Sequence, residues 1–277
     1  MIWGVPYLMI RVAVREVSPA TLVFLRSGVA ALALVPLAAG RSELRPLLPR
    51  WRPLLVFAAI EIAIPWLALS SAERRVSSSL AALLIAAVPF TAVVIAAATG
   101  GERINSPRIA GLLAGIGGVA AVVGLDIGHT SGVGTAEMAV VVLGYASGPW
   151  VLHRYLSDLP GLGVIAASLA VTAIVYAPAA ALQLPSSLPS GRVLASIAGL
   201  AVVCTALAFV LFFELIAEVG PVRATVITYV NPAVAALLGV AVLNESFTIG
   251  MGIGFALVLA GSVLATGSAR QPAVAEP

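Results

Sequence analysis

The stretch "AAVPFTAVVIAAATGGERI", residues 86–104, is written again in outline as "YVNPAVAALLGVAVLNESF", residues 229–247. Each places a proline inside an apolar run and a glutamate thirteen residues later, Pro89 with Glu102 and Pro232 with Glu245. The two copies lie 143 residues apart, and the same offset superposes Pro6 on Pro149, Arg11 on Arg154, Val76 on Val219, Gly111 on Gly254 and Gly118 on Gly261. A constant offset without gaps is the mark of an internal duplication.

Composition identifies the solvent. With 61% hydrophobic residues, 10% charged ones and a mean hydropathy of +1.10, a water-soluble fold would leave far more apolar surface than it could hide, so the chain reads as an integral membrane protein. All fifteen cations are arginines, and with a sequence pI near 9.5 they point to membrane orientation rather than to nucleic acid as a partner. The single Cys204 excludes an intramolecular disulfide and a cysteine-based metal site. The chain opens on an apolar run without a basic leader, so the first helix is expected to act as its own insertion signal.

A helix needs roughly 20 apolar residues to cross the hydrocarbon. Runs of that kind cover residues 20–39, 53–71, 77–99, 107–125, 133–152, 162–182, 193–213, 222–243 and 248–267, after a shorter start over residues 1–14. Against the second copy, that first helix is expected to be short by about a dozen residues, a truncated start or a natively short helix. Arginines in the connecting segments divide nine (Arg41, Arg45, Arg50, Arg52, Arg103, Arg108, Arg154, Arg223, Arg270) against five (Arg11, Arg15, Arg74, Arg75, Arg192). The excess places the 40–52 loop and both termini in the cytoplasm.

The fold expected is therefore an all-α integral membrane protein of ten transmembrane helices, arranged as two five-helix repeats over residues 1–126 and 127–277, the second ending in a short tail. An odd number of spans per repeat inverts the second copy relative to the first. That is the arrangement of secondary transporters, with the substrate near the midplane between the halves.

Four segments carry a family resemblance: "IWGVPYLMIR", "SPATLVFLRSGVAAL", "AERRVSSSLAALLIAAVPF" followed by "GERI", and "VGPVRATVITYVNPAVAALLGVAVLNESFTIGMGIGFALVLAGSVL". Over nearly its whole length the chain resembles the EamA family of the drug/metabolite transporter superfamily. The resemblance implies a ten-helix carrier, usually an inner-membrane exporter of amino acids, related metabolites or toxic compounds, and not an enzyme.

The candidate residues follow from the cost of polar groups in lipid. Pro89 and Pro232 each remove a backbone donor and leave a carbonyl about four residues earlier without its helical partner. Either the helices bend around a polar cavity or the prolines make packing kinks. Asn231, beside Pro232, favours the cavity because its amide is costly against hydrocarbon; Tyr229 carries less weight. Arg26, Glu61 and Glu214 lie within apolar runs, where an ionisable group is a functional candidate. Glu61, about one turn before Pro65 and Trp66, reads as a proton-coupling or amine-binding carboxyl, with a structural bridge to Arg26 as the other reading. Glu214 reads as lying near a solvated helix end, and Arg26 either faces the interior or snorkels to an interface.

Trp66 and Trp150, each beside a proline, are candidates for a stacking wall, whereas Trp3 and Tyr7 suit an interfacial belt equally well. Glu102 and Glu245 each precede a new helix. They are expected to fix the turn there through the helix dipole, with Ser106 and Thr248 as caps. Gly111, Gly115 and Gly118 form one small face, and Gly250, Gly254 and Gly261 another. The two are expected to pack together, with a homodimer contact as the rival reading. His129 and His153, in connecting regions, have no second metal-type ligand nearby, so no metal and no cofactor is expected.

The function expected is a secondary carrier exporting amino acids or related small metabolites across the inner membrane by alternating access. The alternative is multidrug-type efflux of cationic apolar compounds with Glu61 as counter-ion. The expected partners are a small-molecule substrate and the lipid bilayer, not nucleic acid; monomer and homodimer both stand open. No Walker-type glycine-lysine loop exists in a chain without lysine, so ATP hydrolysis is not expected to drive it.

Overall fold

The structure, a computed structural model, describes residues 2–99, 106–125, 131–219, 231–246 and 248–267. Among them every regular element is helical. A short turn over Ile2–Gly4 leads into α1 (Pro6–Ala13). There follow α2 (Pro19–Gly40), α3 (Arg45–Ala72), α4 (Ser78–Ala98), α5 (Ser106–Leu125), α6 (Gly132–Tyr155), α7 (Gly161–Leu182), α8 (Gly191–Glu218), α9 (Asn231–Leu243) and α10 (Ile249–Gly267). Among the described residues six of these, α2, α3, α4, α6, α7 and α8, are long and apolar enough to cross a membrane, and shorter apolar stretches cover Ile2–Ala13, Ile109–Ala121, Asn231–Leu243 and Ile249–Gly261. At 1.5 Å per residue, the 22 residues of α2 reach about 33 Å, enough for the hydrocarbon core.

Serine and threonine set the helix starts. Ser18, Ser77, Ser131, Ser190 and Thr248 each accept the backbone N–H three residues on, at 3.1, 3.1, 3.3, 3.4 and 3.1 Å. Thr248 thus caps α10 as expected. At Pro89 the fourth helix breaks into Ser78–Ile85 and Val88–Ala98, joined by a turn at Ala86 and Ala87. Ala87 N–H bonds to Leu84 O at 3.0 Å, a tightened i→i−3 step in the turn that precedes Pro89. Pro232 lies in the first turn of α9, and what precedes Asn231 is outside the described residues.

Contacts between the copies run antiparallel. Thr21 Oγ1 donates to Gln183 O at 3.3 Å, while seven residues along α2 Gly28 faces Ala173 of α7. A Cβ on Gly118 would meet Gly254 O, and one on Gly261 would meet Gly111 O, so α5 and α10 lie backbone to backbone along the glycine faces. These two helices form the most extensive pair in the structure. Exchanging the repeats maps α2–α7, α4–α9 and α5–α10 onto themselves and the α3–α6 pair onto α8–α1, and all of these pairs are in contact.

Two large buried clusters fill the interior, one around Tyr7, Ile10, Leu80 and Met138, the other around Val23, Trp66, Leu169 and Ala206, with a smaller third around Ala87, Phe90 and Val258. Outside them, large apolar side chains such as Leu32, Ile174, Leu182 and Leu237 stand at least 70% exposed, the surface a bilayer would cover.

Candidate functional site

Glu61 stands at the middle of α3, within a π-helical stretch, Ala58–Ala63. Pro65 supplies a physical reason for it: the ring withholds the donor that the Glu61 carbonyl would use, and widening the preceding turn relieves the clash. The Tyr176 hydroxyl of α7 donates to Ala63 O at 3.0 Å, satisfying one of the disturbed carbonyls. The second repeat has a π-helical stretch in the same place, Gly199–Leu207 of α8, without a proline. There Thr205 Oγ1 donates to Leu200 O at 2.8 Å, five residues back.

The Glu61 carboxyl lies against Gly148 of α6: any Cβ at Gly148 would collide with Glu61 Oε2, Cδ and Cβ. Glu61 Oε2 is enclosed and has no hydrogen-bond partner. Arg26 is buried, 7% exposed, so it does not snorkel. Its guanidinium carbon stands 3.6 Å from the centroid of the Trp66 ring, and its Nε donates to Thr205 Oγ1 at 2.9 Å. The stacking on Trp66 stabilises the buried charge by about 0.5–2 kcal/mol. Arg26 and Glu61 form no ion pair, so the structural bridge is not what holds Glu61. Tyr145 of α6 lies within electrostatic reach of both charges. A buried cation on an aromatic face, a carboxyl with a free oxygen and a phenol thus meet where α2, α3, α6 and α8 converge.

The other candidates lie apart from this cluster or close its edges. Trp66 is in it. Trp150 meets Tyr155 edge-on, with ring centroids 6.1 Å apart, toward the end of α6. Trp3 packs edge-on against Phe209 and Phe212 of α8, while Tyr7 is buried. Asn231 is buried with its Oδ1 unpartnered, and its backbone carbonyl abuts Gly4 at the start of the chain. Glu214 is exposed near the end of α8. Glu102, His129 and Tyr229 lie outside the described residues.

Glu245 caps a helix, but not the one expected. Its carboxylate accepts from Ser78 N (2.8 Å), Ser78 Oγ (3.0 Å), Ser79 N (3.0 Å) and Ser79 Oγ (2.7 Å), closing the N-terminus of α4 in the opposite repeat rather than the start of α10. Asn244, left-handed at φ 54°, turns the chain out of α9 and aims the glutamate across. Burial works against the charge, but the four donors from Ser79 and Ser78 outweigh it and hold Glu245 below the ordinary carboxylate range. Glu43, after left-handed Ser42 (φ 59°), does the same for Gly163 N at 3.0 Å in α7. Glu16 accepts from Ser190 N at 2.6 Å and Ser190 Oγ at 2.7 Å, bonds that lower its pKa in the open. Each of these three glutamates crosses from one repeat to the other. Sequence reasoning missed the crossing because an N-terminal donor pair carries no mark of which acid will reach it.

It also missed Tyr145, Thr205 and Glu73. A hydroxyl in mid-span was the available signal for the first two; Glu73 opens the charged run "ERR" and is nevertheless fully buried. An open groove of about 510 Å³ between α2, α3, α6 and α7, walled by Ser71, Glu137, Tyr176, Gln183 and apolar residues, includes none of Arg26, Glu61 or Asn231. Charged groups enclosed in the interior are the stronger indication of a site.

Among curated proteins none matches this chain. A protein solved by crystallography, described only as "Crystal structure of protein", is similar over 96% of this chain and 92% of its own at 23% identity, with a TM-score of 0.68, a likeness of fold. The family model described as "EamA-like transporter family" matches twice, over residues 1–124 and 133–267. Together with the membrane-spanning helices and the duplication, this double match settles the family: the chain belongs to the EamA-like transporters, membrane proteins of the drug/metabolite transporter type.

Proposed function

We propose that this protein is a ten-helix secondary carrier of two inverted repeats that exports amino acids or related small metabolites by alternating access, with Glu61 as the counter-charge for the substrate amine. The observation that carries this reading is the Glu61 carboxyl: half-buried at the middle of α3, in a widened turn, with its Oε2 enclosed, unpartnered and pressed against the second repeat at Gly148. A carboxylate so placed is too costly for a purely structural role, and an ammonium group offers it both charge and hydrogen bonds. Arg26 on Trp66 supplies the complementary cation for a substrate carboxylate, and two opposite charges with Tyr145 in electrostatic reach of both suit a zwitterion better than a lipophilic cation. The arginine excess supports an orientation with the Glu43 end and both termini in the cytoplasm of an inner membrane and the Glu73 end outside.

The test is counterflow in proteoliposomes with labelled neutral, aromatic and basic amino acids beside a few lipophilic cations. Saturable exchange of an amino-acid class supports the reading. Exchange of the cations alone moves it to multidrug efflux, and unsaturable conductance makes the protein a pore.

A further inference from the structure

Glu73 follows the last residue of α3 and is 0% exposed. Neither of its carboxyl oxygens has a hydrogen-bond partner. The other glutamates at this end of the bundle are treated differently. Glu245 receives four donors, Glu16 two, and Glu137 is bonded by Arg75 Nη1 at 2.9 Å and Ser71 Oγ at 2.7 Å. The charged groups that face Glu73 come from three elements: Arg11 of α1, Glu245 between α9 and α10, and Arg26 of α2; Tyr7 of α1 is the neighbouring titratable hydroxyl. Arg11, the nearest cation, gives its Nη1 to the Glu73 backbone carbonyl rather than to the carboxyl. Ser78 and Ser79, five and six residues on, are taken by Glu245.

A buried carboxylate without donors costs several kcal/mol, whereas the neutral acid does not carry that cost. Two carboxyls therefore share one neighbourhood in opposite states, Glu245 charged and saturated with donors, Glu73 neutral and without any. Burial pushes Glu73 well above the ordinary carboxylate range, Arg11 and Arg26 oppose this, and Glu245 reinforces it.

We propose that Glu73 is a proton-binding site linked to closure of this end of the carrier: its carboxyl holds a proton while Glu245 bridges the repeats, and releases it when the bridge opens. On opening, the O–H proton passes to water, the Ser78 and Ser79 donors come free, and the carboxylate gains Arg11 as its partner. Closure takes the proton back. The sign follows: the closed form binds more protons, so it is favoured as pH falls. Between the open-state and closed-state values for Glu73, the ratio of closed to open falls about tenfold for each pH unit gained. The proposal rests on the alternating-access reading.

The experiment places spin labels at Arg15→Cys and Ile249→Cys, two exposed positions on opposite repeats at this end, leaving buried Cys204 in place. Distance distributions are recorded in lipid nanodiscs from pH 5 to pH 9. The expected result is two populations in the wild-type background, the short distance giving way to the long one as pH rises. Glu73→Gln holds the short distance at every pH, and Glu73→Met, of similar volume and also uncharged, does the same. Two populations insensitive to pH, or a Glu73→Gln protein that keeps the wild-type pH response, overturn the proposal alone. A single population throughout overturns it together with alternating access. Failure of both variants to fold overturns it too, since a neutral Glu73 is then not the native state.

Discussion

Glu61 and Cys204 occupy equivalent positions 143 residues apart, each inside the π-helical stretch of its own repeat, so the duplication has kept the backbone distortion and changed the side chain it presents. One half offers an acid to the interior; the other offers a thiol, followed by Thr205, which holds Arg26. A single charged site built from two similar halves requires this asymmetry, because two carboxyls at the symmetric positions would oppose each other.

Replacing Glu61 by Gln keeps the shape and removes the charge. A charge-assisted hydrogen bond contributes about 1.5–3 kcal/mol, so KM for an amine substrate is expected to rise about 10- to 100-fold, while an analogue lacking the amine is unaffected. Counterflow with the two labelled ligands measures this.

Gly148→Ala drives a methyl into Glu61 and is expected to reduce exchange at least as much as Glu61→Gln. The comparison variant is Gly117→Ala, where nothing lies within 4 Å of an added Cβ. It is expected to leave exchange intact and to stabilise α5 by about 0.5–1 kcal/mol, read as a higher Tm.

Gly118→Ala, one residue further, meets Gly254 O and Val258 instead. Separating α5 from α10 is expected to cost about 1–3 kcal/mol, visible as a lower Tm in detergent, with folded protein keeping its substrate affinity because the helix pair lies away from Glu61.

Arg26→Gln removes the cation from the Trp66 face and its bond to Thr205. Binding of a zwitterion is expected to weaken about tenfold or more, and the Trp66 fluorescence to lose its response to substrate. Arg26→Lys is expected to recover only part of this, since an ammonium does not stack as a guanidinium does.

Glu245→Gln tests the bridge between repeats through pH. A carboxylate held below its ordinary range stabilises the folded form above that range, and the contribution is lost as pH falls through the lowered value. The Tm difference between wild type and Glu245→Gln is therefore expected to be full at pH 7 and to vanish in acid. Loss of a cap of this kind costs about 0.5–2 kcal/mol. Gly239→Ala, whose Cβ would strike the Ser79 and Ser78 hydroxyls and Glu245 Oε2, is expected to copy it.

The sequence by itself determined the solvent and the duplication and marked the small-residue faces of α5 and α10; that these faces meet each other was decided by the tertiary structure. Apolar length and small-residue spacing are local properties, and Gly111, Gly118, Gly254 and Gly261 display them without reference to the rest of the chain. It also marked Glu61, because an acid in mid-span is conspicuous wherever it points. Tertiary structure decided the partners. Arg26 faces Trp66 and Thr205 rather than Glu61, and the π turn of α8 has no proline to announce it. Glu245 reaches α4 rather than its own hairpin, and Glu73 is buried although it begins a run of charges. Each of these depends on which groups from distant segments arrive at the same place. The cost of an unpartnered charge in the interior then decides the outcome, and no stretch of sequence contains that cost on its own.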